Sequence, residues 1–229
     1  VLRGLTINAG LAYDVATSGE NKYGGGPAVD VAFPAGQIDG FGRWIHYMVP
    51  ALSLQYDTRD NVSLPYKGGI YSASYYRYQS LGSGDFSFNQ FELDARHFIG
   101  LGRPRMVLAL HGGLVAQQDG GANTIPFYRL ATLDVNSPLR GFTTGRFHDK
   151  NLLVLNAEYR FPVWNSIDGV VFFDTGRVFH SFSDFTLNNF KYAGGGGLRI
   201  RAMGLMLLRF DLAYGGEGIQ ALVGISKSL

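Results

Sequence analysis

The side chains best placed to do chemistry in this chain are a loop arginine and two acids downstream of it. Arg140 sits in a Leu-Arg-Gly-Phe turn at Leu139–Phe142, Glu158 lies within Asn151–Pro162, and Asp174 lies within Val170–Gly176. A guanidinium forks well onto carboxylates, and Gly141 would let the backbone turn tightly beside it. A loop arginine just upstream of two strands that each bury a carboxylate suggests a loop folded back onto its own sheet. The same acids could instead pair with arginines of their own strands and neighbours, such as Arg160 or Arg209. Glu92 and Asp94, two residues apart on one face, are either a pair for acid–base work or partners of Arg96 and cross-strand arginines. The five histidines (His46, His97, His111, His148 and His180) fall on different predicted elements without ligand spacing. No metal, cofactor or catalytic residue is therefore expected. Gly194–Gly197 lacks the Lys-Ser/Thr ending of a phosphate loop and lies in a strand pattern. Glycines there point to close backbone approach, with room for an inserted loop.

The elements that must position these groups are strands. In the first acid-bearing run, Leu153, Leu155, Ala157, Tyr159 and Phe161 point one way and Asn156, Glu158 and Arg160 the other. In the second, Val171 and Phe173 share a face and Asp174 lies opposite. Period-two segments recur at 5–15, 21–34, 44–58, 68–80, 86–101, 105–120, 149–164, 168–182, 190–203, 206–215 and 218–229, eleven in all. Of the 229 residues, 32 are Gly and 17% are charged, which suits many short strands with tight turns rather than disorder. A net charge of +2 gives no reason to expect a nucleic-acid partner, and the absence of cysteine removes thiol chemistry and disulfides. No apolar run approaches the roughly 18 residues of a membrane-spanning helix.

A soluble β-sandwich also alternates, so alternation leaves two classes open. Charge arrangement favours a transmembrane barrel. Glu92, Asp94, Arg96, Glu158, Arg160, Asp174, Arg209 and Asp211 form complementary sets on adjacent polar faces, as a water-filled lumen would need. The apolar faces end in Tyr56, Tyr159, Phe161, Trp164 and Tyr214, like interfacial girdles. Short connections at 101–105, 164–168 and 203–206 read as periplasmic turns, and the long 121–148 as a loop entering from outside. Counting strand directions back from that loop, 21–34 runs outward and 5–15 inward, which places Val1 on the extracellular side. An odd count of eleven implies missing wall: upstream strands, a hidden twelfth strand, or a second polypeptide.

From about Pro50 to Leu229 the chain resembles the C-terminal barrel of the outer-membrane insertase and secretion superfamily of bacterial surface antigens, to which BamA, TamA and the two-partner secretion transporters belong. The matching features are Tyr56-Asp57-Thr58-Arg59-Asp60-Asn61 with Lys67-Gly68-Gly69, Pro126-Phe127-Tyr128, and Leu139-Arg140-Gly141-Phe142. They continue with Leu155–Pro162, Phe172–Gly176, Leu207–Tyr214 and a terminal strand bearing Gly224, Ile225 and Leu229. The resemblance implies a sixteen-stranded barrel whose inserted loop carries Arg140 at its tip, held by Glu158 and Asp174. It implies a periplasmic turn at Asp57, Arg59, Asp60 and Asn61, and an assembly signal in the last strand. The chain departs from the family pattern at Leu130–Ser137, which lacks the family's glycines, and at the Leu229 end, where Lys227 replaces an apolar residue. Periplasmic repeat domains are absent from residues 1–229.

The expected function is then the barrel of an integral outer-membrane factor that inserts or translocates other proteins, opening a strand seam so that a client strand adds to the edge. The competing expectation is a non-catalytic barrel that anchors or scaffolds a membrane complex. Expected partners are outer-membrane lipid, client proteins, accessory envelope proteins or a second chain completing the wall.

Overall fold

A computed structural model describes residues 4–18, 38–82, 84–121, 124–133, 139–143, 145–202 and 205–225. Its strands are β1 (Leu5–Ala16), β2 (Ile45–Asp57), β3 (Gly68–Leu81), β4 (Phe88–Gly100), β5 (Val107–Asp119), β6 (Ala131–Thr132), β7 (His148–Asp149), β8 (Asn151–Trp164), β9 (Ile167–Phe179), β10 (Lys191–Ala202), β11 (Leu205–Gly215) and β12 (Gly218–Ile225). Ten form one antiparallel meander in the order β1-β2-β3-β4-β5-β8-β9-β10-β11-β12, and β6 and β7 pair within the long connection between β5 and β8. The chain is all-β, and among the described residues no helix is long and apolar enough to cross a membrane.

Alternation becomes two faces because register keeps like with like. One row runs Ile7, Leu54, Ala73, Leu93, Leu114, Leu153 across six neighbouring strands. This outer face leaves Leu52, Phe91, Leu155, Phe173, Leu212 and Tyr214 exposed, although all are large and apolar. The inner face holds the buried residues, apolar on β2 and β4 and charged on β8 to β11. An apolar outside around a polar inside inverts a soluble protein and matches a membrane barrel. The sheet curls far enough that the turn after β2 meets β11, where Met206 N–H donates to Ser63 Oγ at 3.1 Å. Among the described residues β1 pairs only with β2, and β12 only with β11.

One expectation changes. The segment 21–34 lies outside the described residues, and β1 pairs directly with β2, from Leu5↔Tyr56 to Ala16↔Ile45. No strand stands between them, so β1 runs opposite to β2 and starts at the end of the sheet where the short turns lie. The inward direction assigned to 5–15, with Val1 on the extracellular side, is thereby corrected. In a meander direction comes from counting strands, so one extra counted segment reverses everything upstream of it. Gly24–Gly26, a glycine run suited to a turn or bulge, also lies outside the described residues.

Candidate functional site

The 120–150 connection turns into the curl of the sheet and is held at both ends. Its first part packs by shape. Ile125 joins Ile45, Tyr47, Val49, Phe86 and Phe88 in a buried cluster, with Tyr128 and Leu130 against it. Pro126 sits so close to Gly40 that a side chain there would begin 2.8 Å from its ring. Phe127 N–H donates to Asp39 O at 3.2 Å, and Thr124 N–H to Asp85 O at 2.7 Å. Arg129 pairs with Asp14 of β1, and its backbone oxygen accepts from Gln117 Nε2 at 2.7 Å.

The second part brings charge inside. Leu133 and Leu139 pack on Leu152 and Val154 of β8, and Phe142 meets Phe147 edge-on at 5.3 Å. Gly141 has φ +86°, in the left-handed region where Gly carries no Cβ penalty. It lies against a second glycine: a side chain at Gly141 would begin 2.9 Å from Gly215 N, and one at Gly215 2.6 Å from Gly141 O. This glycine pair lets the loop tip press onto the end of β11. Thr143 is then gripped by Glu217 of the β11–β12 turn, which accepts from its N–H and its hydroxyl at 2.9 Å each. Those two bonds hold the Glu217 carboxyl below the ordinary glutamate range, and Arg146, at 2.9 Å, adds to the effect.

Arg140 is 4% exposed and reaches three acids on three strands. It clasps Asp174 of β9 through Nε (2.7 Å) and Nη2 (2.8 Å), and its Nη1 reaches Glu158 of β8 at 3.1 Å and Asp211 of β11 at 3.4 Å. Its own backbone N–H also points at Asp174 Oδ2, 3.3 Å away. The guanidinium lies flat on the Phe172 ring, 3.4 Å from its centre, where cation and π-face attract. Burial by itself disfavours the charged guanidinium, but the Asp174 bonds and the Glu158 and Asp211 charges outweigh it and hold its pKa above the usual arginine value.

Arg199 of β10 closes the array. Its Nη2 donates to Glu158 at 2.7 Å and its Nη1 to Asp211 at 2.5 Å. Arg160 and Arg209 stand 3.6 Å from Glu158 and Asp211. Beyond Asp174 the polar chain continues: Asn156 Nδ2 donates to Asp174 Oδ1 (2.8 Å), Asn156 Oδ1 faces His111 Nδ1 (2.7 Å), and His111 Nε2 faces Asp94 (2.8 Å). The structure thus brings together Arg140, Gly141, Phe142, Glu158 and Asp174, and adds Asp211, Arg199, Asn156, Phe172 and His111. Both ways of pairing the acids occur, since Glu158 has Arg140 on one side and lumen arginines on the other. Glu92 and Asp94 part company: Glu92 accepts from Gln90 at 2.6 Å, while Asp94 serves Arg96 and His111.

The glycine run on β10 has a specific use. A side chain at Gly195 would begin 2.6 Å from Phe172 Cζ, beneath Arg140, and one at Gly197 would collide with the Asp211 carboxylate. Large residues on β9 and β11 fill that space instead. The missed members carried a signal of their own. Asp211 lies on the lumen parity of β11, and Arg199 follows the glycines on the lumen face of β10.

The other site residues lie elsewhere. Asp57, Arg59, Asp60 and Asn61 build a turn at the far end of the sheet, where Arg59 forks onto Asp57 through Nε (3.0 Å) and Nη2 (2.7 Å). Asp60 accepts from Tyr66 N–H and Asn61 from Ser63 and Leu64 N–H. Gly224 on β12 makes room for the Arg209 side chain, since a Cβ would begin 3.1 Å from its Cγ. Ile225 points outward and is 81% exposed, and Leu229 lies outside the described residues.

With the geometry in place, comparison with known proteins identifies its relatives. The model of the Omp85 superfamily domain matches residues 48–223. No curated protein sequence matches the chain significantly. Among 66 matching solved chains is BamA from Haemophilus ducreyi lacking POTRA domains 1-3, superposing with a TM-score of 0.73 at 16% identity. The match covers 98% of this chain and 52% of that one, so this chain spans about half the length of that relative.

Proposed function

The chain belongs to the Omp85 superfamily, and on that premise we propose that it forms the C-terminal wall of an outer-membrane barrel that assembles or translocates other proteins. The observation that carries this reading is the clamped loop: an inserted segment whose buried Arg140 ties β8, β9 and β11 from inside. A barrel that served only as an anchor would gain little from burying a charged loop, since a buried ion pair seldom beats apolar packing in stability. Its use would be to hold one defined arrangement of strands.

The mechanism we infer is mechanical. The backbone edges of β1 and β12 cannot face lipid unpaired, because hydrocarbon offers no hydrogen bonds. Further strands complete the wall on the sixteen-strand plan, and a client strand enters at a seam of that wall by β-augmentation. The loop spans the two halves of the sheet, meeting Asp14 on β1 through Arg129 and Glu217 beside β12 through Thr143. It therefore sets how far those halves can part. The Asp57–Asn61 turn is proposed to floor the barrel at its periplasmic mouth, and the Gly224–Leu229 segment to be read during the barrel's own assembly.

The test is insertion of an unfolded outer-membrane client into liposomes that carry the full-length protein. Faster client folding than in empty liposomes supports the assembly reading, and an Arg140→Ala protein should lose most of that gain. Equal rates in both liposomes would leave a scaffold barrel.

A further inference from the structure

We propose that His111 is a positioning residue for the loop clamp: carrying a proton on each ring nitrogen, it orients Asn156 onto Asp174, and losing one of them loosens Arg140.

Asn156 links the ring to the clamp. Its Nδ2 faces the Asp174 carboxylate at 2.8 Å, and only a donor is tolerated there. The amide orientation is thereby fixed, and Oδ1, the acceptor, points at His111 Nδ1, 2.7 Å away. The other ring nitrogen, Nε2, faces Asp94 Oδ2 at 2.8 Å. Both nitrogens look at oxygens, and an imidazole can donate from both only as the imidazolium. A neutral ring keeps its single proton on Nε2, because a hydrogen bond to a carboxylate is the stronger of the two. Nδ1 would then present a lone pair to Asn156 Oδ1. The amide must turn over to answer it, and that swings Oδ1 against the Asp174 carboxylate just where Arg140 is held.

The surroundings limit the alternatives. The His111 side chain is 1% exposed, so water does not readily replace either partner. The charged groups facing it come from β4 and β8. The nearest of them are Asp94 and Arg96, the latter paired in register with His111 and 3.2 Å from Asp94 Oδ1. Glu158 lies one lumen position further along β8 and is occupied by Arg140 and Arg199. Asp174 acts on the ring only through Asn156. One proton on β5 thus bears on a loop contact two strands away. The inference concerns the clamp alone and stands or falls apart from what the barrel assembles.

The experiment is nuclear magnetic resonance of the protein in lipid nanodiscs, with 15N in histidine and arginine. The pH runs from about 5 to about 8, the range over which histidine ordinarily changes charge. The His111 ring signals are those lost in His111→Gln, and the Arg140 Nε–H signal is the one lost in Arg140→Lys. At low pH both His111 nitrogens should carry protons and the Arg140 Nε–H should exchange slowly. As His111 loses a proton, Arg140 exchange should rise at least about tenfold beyond the ordinary base-catalysed increase, the loss of one hydrogen bond to a charged group. His111→Gln should abolish that step. The proposal is overturned if Nε2 stays unprotonated throughout, if Arg140 shows no step when His111 titrates, or if the step survives in His111→Gln.

Discussion

The two ends of the inserted loop are held by opposite physics. Residues 124–130 lie in an apolar pocket of Ile45, Tyr47, Val49, Phe86 and Phe88, where most contacts are small and shared among several partners, beside the Arg129–Asp14 ion pair. Residues 139–143 enter a wall of charge, where Arg140 and Arg199 alternate with Glu158, Asp174 and Asp211, all under 5% exposed. Apolar packing degrades gradually when a group is removed. A charged array fails abruptly, because each ion left behind is buried without its counter-ion. The first end is suited to fixing the loop in place, and the second to defining one state or releasing it.

The largest effect should come from the charged end. Arg140→Ala leaves Asp174 and Glu158 short of their cation and should cost roughly 3–5 kcal/mol, read as a lower urea midpoint in bilayers. Arg140→Lys should recover only part of this, since an ammonium cannot fork onto Asp174 or lie flat on Phe172. At the apolar end Phe88→Ala, at a fully buried site, should cost about 3 kcal/mol without disturbing the Arg140 Nε–H signal. A change in that signal would mean that the two ends are coupled more tightly than their packing shows.

How much of this contrast was legible beforehand differs by kind of information. Alternation located ten of the strands within a few residues, because a face buried against a lumen and a face meeting lipid cannot be exchanged without moving every side chain. Arg140, Glu158 and Asp174 were legible because parity and a glycine turn are local properties. Arg199 and Asp211 were harder to join to them. The meeting of Asp211 with Arg140, and of Arg199 with Glu158, depends on register across β8 to β11, set by hydrogen bonding between strands rather than by any one segment. The direction of β1 failed for the same reason, since pairing with β2 is a relation between segments. Nothing local marks His111 as part of the clamp, because its partners stand 17 and 45 residues away.

A smaller effect separates the glycine contact from the charge behind it. Gly141→Ala forces a Cβ into the left-handed region and against Gly215, so a loss of at least about 1–2 kcal/mol is expected while the ion array stays in register. Serial changes at Gly215 should behave alike, because the two glycines share one contact. If Gly141→Ala costs nothing measurable, the loop tip is not pressed onto β11.

The smallest effect lies at the exposed rim, where Glu217 holds Thr143. A carboxyl whose folded pKa is lowered contributes its stabilisation in full above its unfolded value and loses it as pH falls through the lowered one. The Thr143 amide signal should therefore shift in a single step with a midpoint below 4.5, the ordinary glutamate value, and Glu217→Gln should remove that step. A midpoint at or above that value would mean that the rim contact is not formed in solution.

The most direct measurement of the clamp is a double-mutant cycle between Arg140 and Asp174, comparing urea unfolding in bilayers of the parent, Arg140→Ala, Asp174→Ala and the double variant. Groups in direct contact show interaction energies of about 0.5–3 kcal/mol, and a buried bidentate pair belongs at the upper end. The predicted result is a double variant less destabilised than the sum of the single ones by roughly 2–3 kcal/mol. Strict additivity would contradict the clamp and leave the inserted loop held by its apolar end alone.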